Sequence, residues 1–155
     1  MYRKILVPLD GSELAECVLS HVGSIAKGCG VEDVTFVRVV EPFYMPSGEG
    51  AVYFSGKEVE RINSENRAAA ENYLSQLVSR TRYDGVNVQS KVIAGKTAES
   101  IADYATKNEV DLIVIATHGR SGVSRWVWGS VADRILRSAC MPVLMIRAPG
   151  CIPGI

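Results

Sequence analysis

The sequence has no excess of either charge: 17 Lys and Arg balance 17 Asp and Glu over 155 residues. Without a basic run it lacks the electrostatic footprint of a nucleic-acid binder. It also lacks the polybasic segment that would hold it on an acidic membrane. Neither nucleic acid nor membrane is an expected partner. No apolar run is long enough to span a bilayer. The opening MYRKILVPLDGS has two basic residues, but its apolar run is too short for a signal peptide and Asp10 interrupts it. A soluble, cytoplasmic protein is the expectation. Histidine and cysteine are scarce. Cys17, Cys29, Cys140 and Cys151 form no C-x-x-C pair, and His21 and His118 add no ligand spacing. Reduced structural thiols are expected, rather than a disulfide framework or a zinc site.

What is present suits a single domain over residues 1–155, with 47% hydrophobic residues to build its core. Runs rich in Val and Ile read as strands at 4–9, 33–40, 85–93, 111–116 and 142–147. Between them, apolar residues recur at helical spacing. Ala15, Val18, Leu19, Val22, Ile25 and Ala26 share one face. Val59, Ile62, Ala69, Tyr73 and Leu77 share a second. Ala98, Ile101, Ala102 and Ala105 share a third, and Val131, Ile135, Leu136 and Ala139 a fourth. Ser12 is placed to cap the first helix, and Gly28 and Gly30 to end it. Ser130 is placed to cap the fourth, with Asp133 at capping-box distance. Residues 41–56 keep no period, and a mobile loop is expected there.

Strand–helix alternation predicts an open α/β fold, a five-stranded parallel sheet with helices on both faces. Strand 111–116 is apolar throughout, as suits a strand covered on both sides. Strand 85–93 alternates, with Val86, Val88 and Val92 on one face, as suits an edge. Ligands of such sheets sit beyond the carboxyl ends of the strands, where the order reverses. Order 3-2-1-4-5 makes PLDGS and ATHGRSG neighbours at that point. Order 2-1-3-4-5 instead pairs PLDGS with IAGKT.

The loop from Ala116 to Ser130 has the chemistry of an anion cradle. Gly119 follows the fourth strand, and Gly129 precedes Ser130 at the start of a helix. A helix N-terminus offers unpaired N–H groups and partial positive charge. Glycine lets the backbone approach an oxygen closely, and Arg120 can meet a phosphate bidentately. Asp10, at the end of the first strand, can accept from a ribose hydroxyl or serve as a turn residue before the helix.

Together, KILVPLDGSELA, ATHGRSGVSRWVWGSVADRIL and CMPVLMIR resemble the universal stress protein family over nearly the whole chain. Its nucleotide-binding members have G-x-x-G, nine residues, then G-[S/T]. Gly119, the spacer and Gly129-Ser130 match, whereas Ala116 stands at the first glycine. A positive φ there would resist alanine. The resemblance implies order 3-2-1-4-5 and a Rossmann-like fold binding ATP or AMP, with or without Mg²⁺. Asp10 would meet the ribose. Pro8, Leu9 and Val39 would border the adenine. Gly119, Arg120, Gly129, Ser130 and Val131 would face the phosphates, with Ala116 at the loop's start. It also implies a stress-response regulator acting through nucleotide-dependent binding to a protein partner.

Other readings compete. A slow ATPase or adenylyl-transfer enzyme needs a base and a nucleophile, and His118 has no partner visible in sequence. A structural dimer module with an empty site is the third reading. AGKT at 94–97 is not a P-loop, because Ser90 stands where its first glycine belongs. Trp126 and Trp128 pack under the loop or face a partner. Strand 142–147 is an apolar edge that a second copy would cover, giving a homodimer.

Overall fold

The computed structural model describes residues 2–44, 54–117 and 129–147. Strand β1 (Lys4–Pro8) leads into the single-turn helix α1 (Glu13–Glu16) and then α2 (Leu19–Cys29). Strand β2 (Asp33–Val40) and the long helix α3 (Gly56–Arg80) follow, then β3 (Asn87–Ala94), α4 (Thr97–Lys107), β4 (Leu112–Ala116), α5 (Ser130–Ser138) and β5 (Val143–Ile146). The five strands form one sheet in the order β3-β2-β1-β4-β5, and the pairs are parallel. This order places the reversal between β1 and β4, and so selects between the two layouts that the strand pattern leaves open.

Successive strand residues face opposite sides of the sheet, and the core divides accordingly. Ile5, Val7, Val34, Phe36, Leu112 and Val114 pack on one side with Ala15, Val22, Leu74 and Leu77 of the first three helices and with Val18 of the turn between α1 and α2. Leu6, Val37, Ile113 and Ile115 pack on the other with Ala98, Ile101, Ala105, Ala132 and Ile135 of α4 and α5. Each fully buried Leu, Ile or Phe contributes about 1.5–3 kcal/mol relative to exposure. At one edge, β3 turns Val88 and Val92 inward, as its alternation predicts, while Asn87, Gln89 and Lys91 remain exposed. At the other edge, β5 is apolar throughout, and Leu144 is 37% exposed.

Some local expectations need correction. The first helix is interrupted. Cys17 N–H bonds the carbonyl of Leu14, three residues back, and α2 begins after it. The tightened turn buries both Ala15 and Val18. Ser12 does cap α1, accepting from Ala15 N–H at 3.2 Å, and Gly30 ends α2 with φ 67°. On α3 the inward alanine is Ala70, four and seven residues before Leu74 and Leu77, whereas Ala69 is exposed. On α5, Ala132 and Ile135 face the core, and Leu136, one step further round the helix, is 46% exposed. The expected mobile loop falls mainly on residues 45–53, outside the described residues.

Candidate functional site

The strand order reverses between β1 and β4, and ligands of such sheets bind beyond the carboxyl ends of the strands at that point. The strands pair at Ile5–Leu112 and Leu6–Ile113, so Asp10 and Thr117 leave the sheet at equivalent steps. Pro8 ends β1 and is buried. Leu9, also buried, donates its N–H to Val37 O at 2.9 Å, carrying the chain along β2 past the strand's end. The half-buried Asp10 then makes a tight Asx turn. Its Oδ1 accepts from Ser12 N–H at 2.9 Å and from Ser12 Oγ at 2.6 Å. Gly11 sits inside this turn with φ 87°, a conformation that L side chains resist. The carboxylate is thereby oriented before any ligand arrives.

The second loop is rooted as firmly. Ala116 closes β4, buried and paired with Ile146. It adopts no positive φ. Among the described residues, the non-glycine residue with positive φ is Glu109. A strand conformation suits alanine, so the departure from the glycine motif carries no torsional strain. Thr117 N–H bonds Ile146 O, and the buried Thr117 offers its own carbonyl to Gly129 N–H, both at 2.8 Å. The chain therefore leaves at Thr117 and returns to the same point at Gly129. A Cβ on Gly129 would stand 2.5 Å from that Thr117 oxygen. Glycine is required there by close approach, not by torsion.

The cap of α5 also differs from expectation. Gly129 is the N-cap, with no side-chain cap bond, and Ser130 is the first helical residue. Ser130 is exposed. Asp133 N–H bonds Gly129 O, so Ser130 and Asp133 form no capping box. Val131 and Val39 are half-buried against the second core cluster. His118, Gly119, Arg120, Trp126 and Trp128 lie outside the described residues.

The structure adds residues that sequence reasoning missed. Arg38 projects from β2 on the face opposite Val39, and its guanidinium carbon lies 5.5 Å from the centre of the Tyr73 ring. Tyr73 donates its hydroxyl to Glu16 at 3.0 Å, and Arg80 pairs with the other oxygen of Glu16. Burial, then the Glu16 bond, push the Tyr73 phenol well above its ordinary range, and it stays protonated. The available signal was a charge at Arg38 inside an otherwise apolar strand end. On the other flank, Glu41 accepts from Thr97 Oγ at 2.8 Å and Thr97 N–H at 3.3 Å. The Thr97 hydroxyl, then its N–H, hold the Glu41 carboxyl below its ordinary range. A groove of about 530 Å³ lined by Glu13, Glu16, Tyr73, Gln76, Leu77 and Arg80 lies on the α1–α3 side.

The sequence and the fold have parallels among known proteins. The universal stress protein MJ0531 of Methanocaldococcus jannaschii is 31% identical over 150 residues, covering 96% of this chain and 84% of that one. A solved universal stress protein from Archaeoglobus fulgidus, in complex with dAMP, is 26% identical with a TM-score of 0.66, covering 94% of this chain and 98% of that one. UspA from Lactobacillus plantarum shares the fold at a TM-score of 0.73 and 23% identity, covering 94% and 98%. Residues 1–147 match the family model of the universal stress protein family, and the chain belongs to that family.

Proposed function

We propose that this chain binds an adenine nucleotide, ATP or AMP, with or without Mg²⁺, across the carboxyl ends of β1 and β4. The observation that carries this reading is the junction at Thr117 and Gly129, a close backbone contact that roots the start of α5 at the end of β4, the strand that pairs with β1. These residues fit the group. The N-cap of α5 is Gly129, which makes no side-chain cap bond among the described residues, and first-turn N–H groups suit phosphate oxygens. Asp10 suits ribose hydroxyls, and Pro8, Leu9 and Val39 offer apolar flanks to the base. Ala116, Gly119, Arg120, Gly129, Ser130 and Val131 take the phosphate side. The dAMP complex of the Archaeoglobus fulgidus relative supports the same ligand class.

On this reading the protein works by binding. Nucleotide occupancy changes the surface that a protein partner meets. The reading also includes a cytoplasmic homodimer joined along residues 142–147. Calorimetry with AMP, and with ATP and Mg²⁺, tests the binding. We expect dissociation constants on the order of micromolar, about −8 kcal/mol. No heat at millimolar ligand, with no nucleotide released on denaturing fresh protein, would overturn the reading. ATP turnover above background would favour an enzyme instead.

A further inference from the structure

We propose that Arg38 is a positioning residue for the ribose end of this site: its guanidinium, in contact with Gly11 and close to the ring of Tyr73, holds the Asp10–Gly11–Ser12 turn so that the Asp10 carboxylate meets the ribose in one orientation. The proposal rests on the nucleotide reading above and adds a determinant of ribose selectivity to it.

Four observations converge on Arg38. First, the pleat of β2 sends Val37 and Val39 to one face and Phe36 to the other. Arg38 shares the face of Phe36, so it reaches the turn from the side opposite Val39. Second, a Cβ on Gly11 would meet three Arg38 atoms before anything else: Nη1 at 2.9 Å, Cζ at 3.2 Å and Nη2 at 3.5 Å. The guanidinium therefore lies directly against the glycine backbone. Third, the Tyr73 ring also lies against the cation, as cations prefer an aromatic face. That ring is itself fixed, because its hydroxyl bonds Glu16 and Glu16 is held by Arg80. Fourth, Arg38 makes no ion pair among the described residues. Its charge is not committed to a structural carboxylate there.

The bonds from Ser12 fix the Asp10 carboxylate within its own loop, and the Leu9 N–H bond to Val37 O ties the start of that loop to β2. Arg38, whose backbone also belongs to β2, adds a contact at Gly11 itself. A misplacement of about 1 Å is enough to spoil a directional contact. Arginine is suited to this contact by its flat, weakly hydrated fork, which lysine lacks.

The test compares AMP with 2′,3′-dideoxyadenosine monophosphate, which lacks both ribose hydroxyls. Affinities are measured for the full chain as wild type, Arg38→Met, Arg38→Lys, Tyr73→Phe and Tyr73→Leu. In Arg38→Met we expect the preference for AMP to shrink about fivefold or more, the effect of one charge-assisted hydrogen bond. Dideoxy affinity should change less than twofold. Arg38→Lys should recover only part of the preference. Tyr73→Phe keeps the ring and should keep most of it, whereas Tyr73→Leu should not. Equal losses for both nucleotides, or an unchanged ratio in Arg38→Met, would overturn the proposal. A second arm uses nucleotide-free protein. Amide exchange at Ser12 should quicken in Arg38→Met while β1 and β2 stay protected, and unchanged Ser12 protection would also overturn it. If wild type binds neither nucleotide, the nucleotide reading fails and the ribose role with it. The exchange arm then still decides whether Arg38 holds the turn.

Discussion

Two small residues in the signature segment answer to different constraints. Gly129 is required by space. Its φ is −50°, open to any residue, but a Cβ would meet the Thr117 backbone oxygen at 2.5 Å. A backbone atom cannot swing aside as a side-chain tip can. Gly129→Ala should therefore cost about 1–3 kcal/mol in chemical denaturation and weaken AMP binding in the same protein. Ala116 is constrained far less. It sits in a strand with ordinary torsions, so Ala116→Gly should change AMP affinity by no more than about twofold and cost up to about 1 kcal/mol of stability. Calorimetry and denaturant melts read both effects. Asp10 and the pair Gly129-Ser130 stand out in sequence as candidates because each lies in a short local motif, at opposite ends of the chain. Arg38 and Tyr73 do not, because they are 35 positions apart and meet only once α3 has packed on β2. The reason for Gly129 was hidden as well. Sequence shows that a glycine stands there, and only coordinates show that the Thr117 oxygen excludes a side chain.

At the scale of elements, the ends of strands and helices are fastened by individual polar groups. Asp111 Oδ2, just before β4, accepts from Arg3 N–H at 2.8 Å and Lys4 N–H at 2.9 Å, tying the starts of β1 and β4 together. The Lys4 N–H, then the Arg3 N–H, hold its carboxyl below the ordinary aspartate range. A carboxyl with a lowered folded pKa stabilises the fold fully above its unfolded value, near pH 3.9, and loses that contribution as pH falls through the folded value. Stability measured below about pH 4 should thus fall less steeply for Asp111→Asn than for wild type. Helix α3 carries a full capping box, with Ser55 accepting from Glu58 N–H and Glu58 accepting from Ser55 N–H. Ser55→Ala should cost about 1 kcal/mol, read by thermal or urea unfolding. The elements themselves were legible because apolar periodicity is strong, but their phases were less so. Three consecutive alanines, 68–70, leave the inward face of α3 ambiguous by one residue. Ser130 looks like a cap by residue type, yet the contact between Gly129 and Thr117 starts the helix one residue earlier.

For the whole molecule, alternation of strands and helices dictates the architecture but leaves two strand orders. Choosing between them takes the long-range pairing of β1 with β4, which no local pattern carries. The resemblance of the flanking motifs supplied the order that the sheet then showed. Assembly is a matter for the sheet's two ends. On the proposed reading, β5 joins β5 of a second copy, and Leu144→Lys should leave a folded monomer by sedimentation velocity, with AMP affinity kept within about threefold. Wild type sedimenting as a monomer at tens of micromolar would refute that part of the reading. The ends are chemically unequal, since β3 presents Asn87, Gln89 and Lys91 where β5 presents Val143, Leu144 and Met145. In the language of polymer chemistry, the proposed dimer makes each copy a monofunctional unit. On that reading the unit couples once and then terminates growth, and the edge that would join two copies leaves no sticky end for a third.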